Sequence, residues 1–94
     1  TIDAAAVERA FDAKIHEVRA CRRQHLGGLT YVGGQVQFYF KIGTDGVPLH
    51  VALERSQLGH YPLEACLLAV ARSLRFVKPE GGVAEVRYAM RLAS

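Results

Sequence analysis

Six side chains have the chemistry to hold a metal, attack an electrophile or cross-link the fold: Cys21, Cys66, His16, His25, His50 and His60. Metal sites usually leave a spacing signature such as C-x-x-C or H-E-x-x-H, and these residues form none. A cysteine nucleophile would need an exposed thiolate beside an imidazole. His25 lies one helical turn beyond Cys21, yet both cysteines fall on apolar stripes that point inward. The sequence therefore predicts no catalytic residue, no metal and no cofactor, and the histidines read as surface or helix-end residues. No phosphate-binding glycine loop of the G-x-G-x-x-G kind occurs; Gly27-Gly28, Gly33-Gly34 and Gly81-Gly82 read as hinges between elements.

A cross-link is the remaining chemistry open to the two cysteines. Each sits on the apolar stripe of a predicted helix, and both helices must cover the same face of a sheet, so the thiols can meet. A bridge between them would stabilise the fold by about 4 kcal/mol in the chain-entropy model, comparable with the ~5 to 10 kcal/mol expected of so small a domain. It would also imply an oxidising compartment such as the periplasm. Two buried free thiols, or a reactive or metal-bound cysteine, are the alternatives that the sequence leaves open.

The elements that would position these residues follow from periodicity. The 94 residues, 50% apolar and 22% charged, make one domain over 1–94 with a single core. From Asp3 to Leu26 there is neither Gly nor Pro, and Val7, Phe11, Ile15, Val18, Cys21 and His25 recur at steps of three or four, predicting one amphipathic helix over about 3–26. Asp3 is its N-cap, and Gly27-Gly28 stops it. Strands are predicted over about 35–43, where Val36, Phe38, Phe40 and Ile42 alternate with Gln35, Gln37, Tyr39 and Lys41, and over about 47–55, where Val47, Leu49, Val51 and Leu53 alternate with Pro48, His50, Ala52 and Glu54. Thr44-Asp45-Gly46 joins them as a hairpin. Pro62 opens a second helix over about 62–74 with a stripe of Leu63, Cys66, Leu67, Val70 and Leu74. A third strand over about 83–92 puts Val86, Tyr88, Met90 and Leu92 opposite Glu85, Arg87, Ala89 and Arg91.

The order α-β-β-α-β, with one apolar side to every strand, predicts an α+β two-layer sandwich with both helices on one face of a three-stranded antiparallel sheet. A right-handed crossover lays the third strand beside the first, giving the spatial order 2-1-3 and leaving the second and third strands as edges. Pro48 removes a ladder donor from one edge, whereas Val83 to Leu92 contains neither Pro nor Gly and offers an intact row of backbone groups. A peptide or a second copy of the chain could pair there, through Glu85, Val86, Arg87, Tyr88, Ala89, Met90 and Arg91. The alternative is that Glu85, Arg87 and Arg91 are gatekeepers that keep the edge single.

Other partner classes are less supported. Twelve Lys and Arg against nine Asp and Glu give a net +3, scattered along the chain, which is not a nucleic-acid signature. The run Phe38-Tyr39-Phe40 could suggest an RNA-binding sheet, but only Tyr39 would face water. Apolar stretches fall well short of the ~20 residues of a membrane span. The chain opens Thr1-Ile2-Asp3, without Met or a basic leader, and reads as a piece of a longer protein.

The string from Gly34 to Val47, GQVQFYFKIGTDGV, resembles the hairpin of TonB-type C-terminal domains, roughly G-x-V-x-V-x-F-x-I-x-x-D-G-x-V. Ser56 ends the second strand as in that family, Leu63 to Leu74 resembles its second helix, Phe76 with Pro79 its F-x-P segment, and Gly81-Gly82 leads into the last strand. About sixty residues are covered, from Gly34 to Leu92. The Tyr-Pro opening of energy-transducing TonB proteins is missing, and Leu74 stands where they have Trp. A helix carrying Cys21 before the hairpin, and Leu63-Glu64-Ala65-Cys66 after it, look more like the AgmX/PglI C-terminal branch found in gliding-motility proteins of myxobacteria. The resemblance implies a non-enzymatic periplasmic coupler on an inner-membrane-anchored protein, which seizes a segment of a periplasmic or outer-membrane protein by strand addition and transmits work from a proton-driven motor. The third strand inherits that role, with Arg87, Ala89 and Arg91 sampling partner side chains. A bridge between the two helices would resist their separation under load. The rival expectations are a homodimerisation module, or a weak homodimer, using the same edge, and an RNA-binding sheet.

Overall fold

A computed structural model describes residues 2–26 and 33–92. The elements are α1 (Ala4–Ala13), α2 (Ile15–Leu26), β1 (Gly34–Ile42), β2 (Pro48–Ser56), α3 (Tyr61–Arg72) and β3 (Ala84–Leu92). The sheet is antiparallel in the order β2-β1-β3, as the handedness argument requires. The Gly27-Gly28 helix stop lies outside the described residues.

The central strand shows why the layers form. Val36, Phe38, Phe40 and Ile42 project to one side of β1 and are fully buried, while Gln35 and Lys41 on the other side are exposed. Phe11 of α1 fills the middle of the core, its ring 5.3 Å from Phe38, 6.2 Å from Phe40 and 5.7 Å from Tyr88. Leu63, Leu67, Val70 and Ala71 of α3, with Leu74 just beyond it, close the core on the β2 side.

The single helix expected over about 3–26 is two helices. Asp3 caps α1, accepting the Ala6 N–H at 3.0 Å. At Lys14 the backbone leaves helical geometry, with φ −113° and ψ 22°; its N–H bonds back only three residues, to Phe11 O at 2.9 Å, and its carbonyl starts α2 by accepting from Glu17 and Val18. Neither Gly nor Pro forces this break. Its cause is tertiary: α1 rests on β3 and α2 packs against α3, so the chain bends to serve both.

The disulfide is closed. Cys21 of α2 and Cys66 of α3 are bonded with their Cα atoms 5.7 Å apart, within the usual range for a bridge. Cys21 is buried and Cys66 is partly covered. Such a bond in a small domain fits folding outside the cytoplasm. No helix among the described residues is long and apolar enough to cross a membrane.

The hairpin turn is latched to the loop after α3. Gly46 sits at φ +84°, and a Cβ there would lie 2.1 Å from the Phe76 carbonyl oxygen; the Phe76 N–H donates to Gly46 O at 3.0 Å, and the Phe76 ring packs on Phe40 at 5.9 Å. Asp45 sets the turn by accepting the Val47 N–H at 3.0 Å.

Candidate interaction edge

Both outer strands are nine residues long and pair with β1, but their registers differ. Pairing along β3 is unbroken from Ile42 opposite Ala84 to Gly34 opposite Leu92. Pairing along β2 slips twice, at Leu49 and at Glu54, where an extra residue is accommodated as a bulge. The expectation that Leu49 faces the core is therefore wrong: Pro48, not Leu49, stands opposite Ile42, and Leu49 is 61% exposed. The cause lies beside it, since Pro48 has no N–H to donate and the regular ladder stops there.

No described strand lies beyond β3, so alternate N–H and C=O groups along Ala84–Leu92 face outward, away from β1. Burial along the strand alternates as the sequence predicts, with Glu85, Arg87, Ala89 and Arg91 exposed and Val86, Tyr88 and Met90 half-buried toward the helices. Two of its charges do not point outward from the rim. Tyr39, in the middle strand, donates its hydroxyl hydrogen bond to Glu85 Oε2. Arg87 reaches back over β1, with its guanidinium 5.0 Å above the Tyr39 ring, and ends on Glu54 of β2 through Nε to Oε1 at 2.9 Å and a second contact at 3.4 Å. Gln37 Nε2 donates to the same carboxylate at 3.3 Å.

This network explains the local proton affinities. The Arg87 hydrogen bond holds the Glu54 carboxyl below its ordinary range, and the same bond pushes the Arg87 guanidinium up. Donation to Glu85 raises the Tyr39 hydroxyl. The groups are solvent-exposed, so the network contributes little to stability; its consequence is positional. Sequence reasoning placed Tyr39, Glu54, Glu85 and Arg87 on the open face but missed their partnership, because the bulge that sets Glu54 within reach of Arg87 is a matter of register.

A second feature that sequence reasoning missed lies on the core side of β3. A groove of about 250 Å³ runs between this strand and the helices, with Phe11, Ile15, Tyr88 and Met90 among its apolar lining and Glu8, Asp12, Arg19 and Arg91 among its charged lining. Burial, with the nearby Glu8 and Asp12 carboxylates, raises the Tyr88 hydroxyl. Elsewhere, His16, His25, His50 and His60 do not converge, and no group of three or more metal-ligating side chains forms among the described residues. Comparison with family models, with curated proteins and with solved structures found no match.

Proposed function

We propose that this chain is a non-enzymatic interaction domain that takes an extended segment of a partner protein as a fourth strand along β3. The observation that carries the reading is a regular nine-residue rim, without Pro, Gly or a register slip, that has no described strand beyond it. An outer strand with an unbroken register and no described neighbour presents a regular row of backbone donors and acceptors, the template that strand addition uses. Val86, Tyr88 and Met90 are only half-buried, and a fourth strand would finish covering them.

The setting comes from the resemblance to TonB-like domains of the AgmX/PglI branch: a periplasmic module of an inner-membrane-anchored protein in a motor-driven, envelope-spanning complex, gripping a periplasmic or outer-membrane protein. Two features support it. The Asp45-Gly46 turn and Phe76, quoted above as family-like, meet in one latch. The disulfide ties α2 to α3, and such a bond would resist their separation under load.

A symmetric homodimer is favoured by one observation: two β3 strands crossing antiparallel about Tyr88 would set Glu85 of one copy opposite Arg91 of the other. The helix layer argues for a lone strand instead. Of the three helices, α1 packs against β3 and α3 against β2, so the layer reaches both outer strands. A second copy paired along β3 would bring its own helix layer as well as its strand; an extended segment brings none. An RNA-binding sheet would need the Tyr39 ring, which Arg87 already covers.

The test is an NMR titration with a nine-residue peptide alternating Val and Thr, and with the same peptide N-methylated at alternate residues. Strand addition predicts shifts and new amide protection along Ala84–Leu92 with the first peptide, and at least tenfold weaker binding of the second. Equal binding of the two, or shifts confined to β2, would overturn the reading. A dimer that forms with rising concentration and ignores the peptide would establish the homodimer in its place.

A further inference from the structure

We infer that the groove beside β3 reads the side chains of the incoming strand, selecting a segment with apolar residues at alternate positions, a basic residue toward α1 and an acidic residue toward α2. The inference rests on the strand-addition reading and adds the chemistry of the partner. At about 250 Å³ the groove is smaller than the roughly 300 to 1,000 Å³ of small-molecule sites, so it suits side chains. Side chains on one face of an extended strand stand about 7 Å apart, so one or two of them would enter between Phe11, Ile15, Tyr88 and Met90.

The charges give the groove a direction. Glu8 and Asp12 are exposed on α1 and lie close enough to Tyr88 to act on its hydroxyl. Arg19 is exposed on α2, and Arg91 lies near the end of β3. Among the described residues no ion pair engages any of these four. Acid on one helix and base on the next, along one apolar slot, would discriminate between a strand with matched termini and the same strand with its charges exchanged.

The experiment uses three nine-residue peptides with one Val/Thr core: Lys at the first position and Asp at the last, the two exchanged, and both neutral. The inference predicts that the two charged peptides differ by at least about fivefold in Kd, the scale of one or two rim ion pairs. It predicts further that the double variant Glu8→Lys/Arg19→Glu inverts the preference. Both positions are exposed, and an unchanged circular dichroism spectrum verifies folding. If the three peptides bind alike, or the double variant keeps the original preference, the groove reads no charge and the inference falls while strand addition stands. If none of them binds, both fall.

Discussion

The sheet ends in two rims of equal length that the chain has finished in different ways. Along β2, Pro48 withdraws a donor, bulges at Leu49 and Glu54 interrupt the register, and Leu49 is displaced to the surface. Along β3 the register runs without a slip, two charges are drawn inward, and a groove follows the core side. Natural sheets protect their edges with prolines, bulges and charges. Here the proline and the bulges sit on β2, and β3 has neither. The contrast teaches that an edge left regular beside a protected one is a place to look for a partner.

The helix layer joins the two rims, α1 resting on β3, α3 on β2, with the disulfide between α2 and α3. Breaking that bond should have the largest effect. The Cys21→Ser/Cys66→Ser variant is expected to lose about 4 kcal/mol of unfolding free energy in urea, and the wild-type chain under strong reductant should match it. A loss below about 1 kcal/mol would mean that the packing of α2 on α3 suffices.

Next comes the hairpin latch on the β2 side. Gly46→Ala puts a methyl group against the Phe76 carbonyl and should cost about 2 to 4 kcal/mol. Gly59→Ala, at φ +63° with open space around it, should cost only about 1 kcal/mol. Equal losses would show that the latch adds nothing beyond the strain of a positive φ.

A smaller effect separates the open face from both. Glu54 titrates below the usual carboxylate value of about 4.3, so its pairing with Arg87 contributes fully above that value and is lost as pH falls through the depressed one. The stability difference between wild type and Arg87→Ala should therefore be small and constant from about pH 5 upward, and should shrink below about pH 4. A difference that grows in acid would contradict the pairing. Smallest of all, Leu49→Ser on the bulged rim should change stability by less than about 0.5 kcal/mol, as a surface residue does, and leave peptide binding unaltered.

Much of the fold was legible because one-sided burial writes itself into period two and period three-to-four. Val36, Phe38, Phe40 and Ile42 fix the buried side of β1, and the handedness of the crossover fixes the strand order. Cys21 and Cys66 met because their stripes faced one another. The break at Lys14 was not legible, since no local breaker marks it and two different packing surfaces impose it. The exposure of Leu49 was misread because alternation was extended through Pro48, where the ladder is irregular. The inward turn of Arg87 and the groove beside β3 depend on strand register and on how the helices seat on the sheet, neither of which a single chain displays in its residue order.

The most direct test of the open rim is amide hydrogen exchange of the isolated chain at low concentration. The account predicts alternation along Ala84–Leu92, with amides bonded to β1 protected and their neighbours exchanging at rates typical of exposed groups. Uniform protection along the strand, independent of concentration, would mean that the chain already covers this edge, and no partner could be received there.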